Sequence, residues 1–170
     1  MADELTYPEV GATSDGAHPA GYRHLRVRTR VGDGGRCYRA AADAVLGWRM
    51  HRAMGVEVDA DGPRAESGVR VVVGLGVARL RVHGPCRVVW SRDGERRAGF
   101  GYGTLPGHPV RGEEAFTVEW RPDGSVWLTV AAFSLPAVWW TRCAGPLVPV
   151  FQRAYARRCG RVLRRLAAGG

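Results

Sequence analysis

Lysine is missing from this 170-residue sequence: all 25 basic residues are arginine, and the formal net charge is +9. Long apolar runs are missing as well, because the longest uncharged apolar stretch, 129–141, falls short of the ~20 residues that a membrane-spanning helix needs. The N-terminus is acidic and lacks the apolar segment of a secretory signal. We therefore expect a cytoplasmic protein without a membrane span.

Paired cysteines are also missing. The four cysteines, Cys37, Cys86, Cys143 and Cys159, form no Cys-x-x-Cys pair and have no zinc-like spacing. The sequence has neither the lysine of a phosphate-binding loop nor a Gly-x-Ser-x-Gly nucleophile motif. It therefore predicts no metal and no cofactor, and it leaves the cysteines as small buried or half-exposed side chains.

Positive charge is in excess, which is compatible with a nucleic-acid or anionic-membrane partner. The arginines are nevertheless spread along the chain, as GC-rich codon usage would spread them, and no nucleic-acid recognition motif accompanies them. We do not expect a nucleic-acid partner, and we interpret the one dense cluster as the solvated face of a helix. That cluster consists of Arg153, Arg157, Arg158, Arg161, Arg164 and Arg165.

The order of local patterns indicates an α+β protein. Turn residues in 1–20 predict an irregular N-terminal arm. Alternation over 22–31 predicts a strand, and spacings of three and four over 36–54 predict a helix, with Asp33 as its cap and Gly55 at its end. From residue 69 to 134 the period is two, with Asp-Gly turns at 93–94 and 123–124. A kinked helix is predicted from Pro136 to about residue 168, and its expected inward residues are Val150, Ala154, Leu163 and Leu166.

These elements pack most economically as a single domain over 1–170. In that packing, a curved antiparallel sheet of about six or seven strands wraps around the long C-terminal helix. This helix-grip arrangement leaves an apolar cavity between the sheet and the helix.

Several strings along the chain resemble one family. The most specific is the loop string Tyr102-Gly103-Thr104-Leu105-Pro106-Gly107-His108-Pro109, with Gly112-Glu113-Glu114-Ala115-Phe116 after it; the others are Tyr7-Pro8-Glu9-Val10-Gly11, Gly21-Tyr22-Arg23-His24-Leu25 and Trp48-Arg49-Met50-His51. They resemble DUF1990, a family without a settled activity that is related to the START, birch-pollen-allergen-like and polyketide cyclase-like helix-grip superfamily. The resemblance spans nearly the whole chain and implies a small single-domain protein. Val110 stands where the family usually has an acidic residue.

The loop 105–114 is the first candidate site, because loops on a rigid sheet often carry function. It brings together His108, Glu113 and Glu114, and a histidine beside a carboxylate is suited to acid–base catalysis. Tyr102, flanked by two glycines, is the fourth candidate catalytic residue. The alternative is a structural loop in which His108 bonds to the backbone and the glutamates pair with arginines.

Arg49 is the second candidate, as a two-pronged ligand for a carboxylate or a phosphate in the cavity. It precedes His51 and Arg52 near the predicted helix end. The alternative is that these cations only complement the helix dipole.

Large aromatic side chains form the third candidate set, either as core residues or as the lining of a ligand site. Beside Arg49, the predicted ligand-binding residues are Tyr22, Trp48, Phe100, Trp127, Trp139 and Trp140.

The leading hypothesis is a protein that encloses a small, largely apolar or amphipathic molecule. Whether it only carries the molecule or acts on it, as a cyclase, dehydratase or isomerase, is left open. The alternative is a non-catalytic regulatory or partner-binding module that uses the arginine-rich C-terminal helix. The sequence predicts neither the ligand nor the oligomeric state.

Overall fold

A computed structural model describes residues 4–77, 80–137 and 147–169. Within these ranges the chain forms seven strands and three helices. The strands are β1 (Arg23–Asp33), β2 (Glu57–Ala60), β3 (Arg70–Val77), β4 (Leu80–Asp93), β5 (Arg97–Thr104), β6 (Val110–Trp120) and β7 (Ser125–Pro136). The helices are α1 (Gly34–Leu46), α2 (Arg49–Ala53) and α3 (Leu147–Ala168).

The strands form one antiparallel sheet in the order β1-β7-β6-β5-β4-β3-β2. The first strand therefore pairs with the last, and the other strands follow as a meander. Register shifts in β1, between Arg30 and Gly32, and in β4, between Val88 and Trp90, are bulges of the kind that bend a strand. The predicted α+β fold, a curved antiparallel sheet with a C-terminal helix, is confirmed.

The main core lies between the helices and one face of the sheet, which we call the inner face. Phe100, Phe116 and Leu128 are buried on this face because side chains alternate along each strand. Helix α3 packs against β1, α1 and α2. Its Gly160 lies directly on Thr29 of β1, where a larger residue would collide with the threonine side chain.

The predicted helix over 36–54 is wrong as a single element. It divides into α1 and α2 at Gly47 and Trp48, and Trp48 has a φ of 63°, in the left-handed region that a tryptophan rarely adopts. Gly55, with a φ of 81°, follows α2 as the end of the predicted helix.

Other boundaries also differ from the sequence prediction. Asp33 precedes α1 but makes no side-chain capping bond. The short strand β2 was not predicted. Pro136 is the last residue of β7 instead of the start of a helix. On α3, Leu163 is buried and Leu166 half-buried as predicted, but Val150 and Ala154 are exposed.

Candidate functional site

Two adjacent glutamates of β6 lie on opposite faces of the sheet. Glu113 is paired across the strands with Gly103, whereas Glu114 is paired with Tyr102. Because successive side chains point to opposite sides, the first carboxylate lies on the outer face and the second on the inner face.

On the outer face, Glu113 anchors the N-terminal arm. Its carboxylate is 2% exposed and accepts hydrogen bonds from the Tyr7 hydroxyl (2.7 Å) and from the backbone N–H groups of Gly11 (2.8 Å) and Thr13 (3.0 Å). The Thr13 hydroxyl donates a further bond. Burial and the contact with Glu113 raise the pKa of Tyr7, so this phenol remains a donor. Four donors leave this carboxylate little capacity for a ligand.

The glycines of β5 make room for the same arm. An added Cβ at Gly103 would collide with the Tyr7 ring, and one at Gly101 would collide with Trp90, whose indole donates a 2.8 Å hydrogen bond to Thr13. These glycines therefore accommodate the arm and its outer-face neighbours. The two glycines that flank Tyr102 do not create space around it, because Tyr102 lies on the opposite face.

On the inner face, Glu114 has much less support. Its Oε2 accepts a 2.9 Å hydrogen bond from the Tyr102 hydroxyl. Burial raises the pKa of Glu114 to about 7, although the bond from Tyr102 opposes the shift. Tyr102 is 6% exposed, whereas Glu114 is half-buried. A carboxyl group in this state exchanges its proton near neutral pH.

Helix α3 brings further polar groups to the inner face. Tyr155 is close enough to Tyr102 and Glu114 for both to influence its pKa, which burial raises strongly. Gln152 donates a 3.2 Å hydrogen bond to the Ser134 hydroxyl of β7. We call these five residues the inner polar cluster: Tyr102, Glu114, Ser134, Gln152 and Tyr155. Tyr102 is buried, and the other four are half-buried.

A buried histidine lies beside this cluster. His51 of α2 is 0% exposed, and its ring centroid lies 4.7 Å from that of Phe116, 5.9 Å from that of Trp48 and 6.4 Å from that of Tyr102. Burial lowers the pKa of His51 to about 4, so the ring is neutral. Neither ring nitrogen has a hydrogen-bond partner among the described residues, and the ring packs nearly perpendicular to that of Phe116.

The predicted pairing of His108 with a glutamate is not present in the described residues. The Nδ1 atom of His108 lies 2.9 Å from the carbonyl oxygen and 3.1 Å from the amide nitrogen of Val110, and the ring packs on Gly84. Burial lowers the pKa of His108 to about 4. Of the four predicted catalytic residues, the structure brings together Tyr102 and Glu114, whereas Glu113 points to the other face.

The predicted ligand-binding aromatic residues are likewise divided between the core and the outer face of the sheet. Trp48 and Phe100 are buried in the core with ring centroids 4.9 Å apart. Tyr22 and Trp127 lie on the outer face and therefore do not face α3: Tyr22 donates a hydrogen bond to Glu9, and the Trp127 ring lies 5.3 Å from the guanidinium groups of Arg28 and Arg121. Trp139 and Trp140 lie outside the described residues.

Arg49 is exposed at the start of α2, not turned into the interior. The residues that sequence reasoning missed are His51, which it treated as a helix-end cation, and Tyr155. The spacing of Tyr155 from Cys159 and Leu163 is a helical signal that was available.

A metal site and a membrane-spanning helix are both absent from the described residues. No three histidine, cysteine or acidic side chains gather closely enough there to hold a metal ion. No helix in those ranges has the length and apolar character to cross a bilayer.

Sequence comparison now identifies the family. The model described as a domain of unknown function, DUF1990, matches residues 6–162. The chain belongs to the DUF1990 family. A UPF0548 protein of Deinococcus radiodurans is 37% identical over 177 residues, covering 95% of this chain and 87% of that protein. The resemblance seen in the sequence strings is therefore confirmed, and the family description assigns no activity.

Solved structures place this DUF1990 member in the helix-grip fold. Ara h 8.0201 has a TM-score of 0.61 and 8% identity, with 88% of this chain and 100% of that chain covered. A point mutant of norcoclaurine synthase from Thalictrum, solved with a transition-state analogue, has a TM-score of 0.59 and 8% identity, with 87% and 94% covered. At these identities the likeness shows the fold alone.

Proposed function

We propose that this DUF1990 protein binds a small, largely apolar molecule between the inner face of the sheet and α3. The observation that carries the proposal is the Glu114–Tyr102 pair: a half-buried carboxyl group on the core side of the sheet, to which the Tyr102 phenol is the one hydrogen-bond donor among the described residues. Apolar side chains surround the pair, and a few polar groups within an apolar lining are typical of small-molecule sites.

The charge of the site restricts the ligand. The described arginines of the helices are exposed, and the inner polar cluster contains no basic group. A carboxylate without a cation repels anions, whereas its protonated form donates a hydrogen bond and its ionised form accepts one. The ligand we propose is therefore neutral or cationic, with a hydroxyl, carbonyl or amino group that reaches Glu114.

The same pair is suited to acid–base chemistry. A group whose pKa is about 7 is protonated and ionised in comparable amounts at neutral pH, which favours it as a general acid or base. We propose proton transfer by Glu114, with Tyr102 positioning the carboxyl, in a cyclase, dehydratase or isomerase type of reaction. The solved norcoclaurine synthase supports this only in that the same fold can host an enzyme.

The free thiols of Cys37, Cys86 and Cys159 favour a reducing compartment, and we place this function in the cytoplasm.

Native mass spectrometry of freshly purified protein tests the proposal, and we expect a bound small molecule. A fluorescence titration with 1-aminoanthracene, an apolar probe with a neutral amino group, provides a defined ligand. Glu114→Gln should weaken probe binding several-fold, because the amide replaces a carboxylate acceptor. Glu119→Gln is the matched control, since this residue of the same strand lies on the outer face opposite Trp127. Equal affinities for the two variants, or no binding of the probe, would contradict the proposal.

A further inference from the structure

The outward face of α3 carries only two kinds of side chain. Every exposed residue of the helix is either an arginine or an apolar residue. The arginines are Arg153, Arg157, Arg158, Arg161, Arg164 and Arg165, and the apolar residues are Leu147, Val150, Phe151, Ala154 and Ala168. The buried residues, which include Cys159 and Leu163, occupy the opposite side. The helix thus presents a second, outward surface in addition to the one that packs on the core.

The described residues do not neutralise the charge of this surface. No acidic residue occurs in α3. Arg164 donates two hydrogen bonds to the carbonyl oxygen of Arg30, at 2.7 and 3.1 Å. The other five arginines form no ion pair within the part of the chain that the structure describes. Their mutual repulsion is relieved by an anionic partner.

The apolar residues of the outward face are concentrated at the start of the helix. Leu147, Val150 and Phe151 are 69%, 66% and 59% exposed, and they are three of the five large apolar side chains exposed in the described ranges. They fall within two turns, directly before the arginines. Exposed apolar clusters of this kind mark interaction sites.

We propose that the outward face of α3 docks on an anionic lipid surface. Arginines held against a membrane attract the negative headgroups, and large apolar side chains enter the boundary between headgroups and acyl chains. Both kinds of contact are present side by side on one rigid helix. A single-stranded nucleic acid fits less well, because aliphatic Leu147 and Val150 offer bases no stacking surface. This docking does not depend on the proposed ligand site.

Co-sedimentation with vesicles tests the proposal. We expect the full chain to sediment with phosphatidylcholine vesicles that contain phosphatidylglycerol, to ignore pure phosphatidylcholine, and to dissociate as salt is raised. The double variant Arg157→Gln/Arg161→Gln should lower the partition coefficient about tenfold or more. Phe151→Ser should lower it several-fold without a change in salt dependence. These residues are exposed, so both variants should keep the thermal midpoint of the parent.

A matched control separates the effect of the charges on α3 from the effect of the net charge of the protein. Arg92→Gln/Arg111→Gln removes the same charge from exposed positions on the sheet and should reduce binding by less than twofold. The proposal is overturned if anionic vesicles do not bind, or if the two double variants lose binding equally. It is also overturned if polyuridylate binds more tightly than the vesicles and Phe151→Ser leaves vesicle binding unchanged, since that result assigns the arginines to nucleic acid.

Discussion

The outer and inner faces of β6 give two neighbouring glutamates opposite chemical properties. Glu113 is buried among donors from the arm, whereas Glu114 is half-buried and its carboxyl accepts one hydrogen bond from the residues that the structure describes. The residues are identical and adjacent, so the difference arises from what the fold places over each face. A carboxylate with every acceptor position occupied serves stability, and one with free positions remains available to a ligand.

The largest effect we expect is the loss of the arm anchor. Glu113→Gln replaces one carboxylate oxygen by an NH₂ group, which faces buried donors and cannot accept their bonds. The free energy of unfolding should fall by about 3 kcal/mol, measured by urea denaturation. Glu119→Gln, an outer-face change in an ion pair with an N···O distance of 3.9 Å, should cost less than about 0.5 kcal/mol. Equal losses would show that the arm is not held through Glu113.

The second prediction concerns pH and Glu114. The pKa of Glu114 is raised by folding from 4.5 to about 7, so the folded chain holds this proton more tightly than the unfolded chain. Its stabilising contribution is complete below about pH 4.5 and is lost as the pH rises to about 7. The difference in unfolding free energy between the parent and Glu114→Gln should therefore shift against the parent by about 2–3 kcal/mol over that range.

The comparison with Glu114→Gln is necessary because two buried histidines change the unfolding free energy with pH in the opposite direction. The pKa values of His51 and His108 are lowered by burial to about 4, so both destabilise the folded chain as the pH falls below about 6.5. Their contribution is common to both proteins and cancels. A difference that stays flat with pH would mean that Glu114 is ionised normally in the folded chain.

Much of this architecture could be predicted from sequence, because alternation and turn chemistry are local. The order of the main strands and helices follows from such patterns. The sequence pattern predicts Glu113 and Glu114 together in a loop, whereas both lie in β6 and point to opposite faces. The division at Trp48 could not be predicted, since a left-handed tryptophan is imposed by tertiary packing. Nor could the role of Glu113, whose partners lie about a hundred positions away in the arm.

His108 and His51 show the same limit at the candidate site. Both residues have the same titratable side chain, and the sequence favours His108 as the candidate catalytic residue because it lies in a loop. The structure bonds His108 to its own loop and buries His51 beside Tyr102. What distinguishes the two histidines is their distance from the inner polar cluster, and a single sequence does not encode that distance in any local pattern.

A smaller loss of stability is expected when a methyl group is added to β5 at the position where the N-terminal arm packs on it. In Gly103→Ala, the added methyl group displaces the Tyr7 ring and should lower the unfolding free energy by about 1–2 kcal/mol. Limited proteolysis should then cleave the arm more quickly. Gly62→Ala is the control, because its methyl group meets nothing nearer than 3.4 Å. If the two variants are cleaved alike, the arm does not depend on the β5 glycines.

The smallest effect isolates the hydrogen bond that distinguishes the inner face. The Tyr102 hydroxyl stabilises the ionised form of Glu114 and so holds its pKa down. Tyr102→Phe removes this donor but keeps the ring, and the pKa of Glu114 should rise by roughly one unit, followed by carbon-13 NMR of the labelled carboxyl. Tyr22→Phe removes a comparable bond to Glu9 on the outer face and should leave that titration unchanged. An unchanged titration in Tyr102→Phe would mean that the phenol does not bond to the ionised carboxylate. Tyr102 would then not position the Glu114 carboxyl for proton transfer.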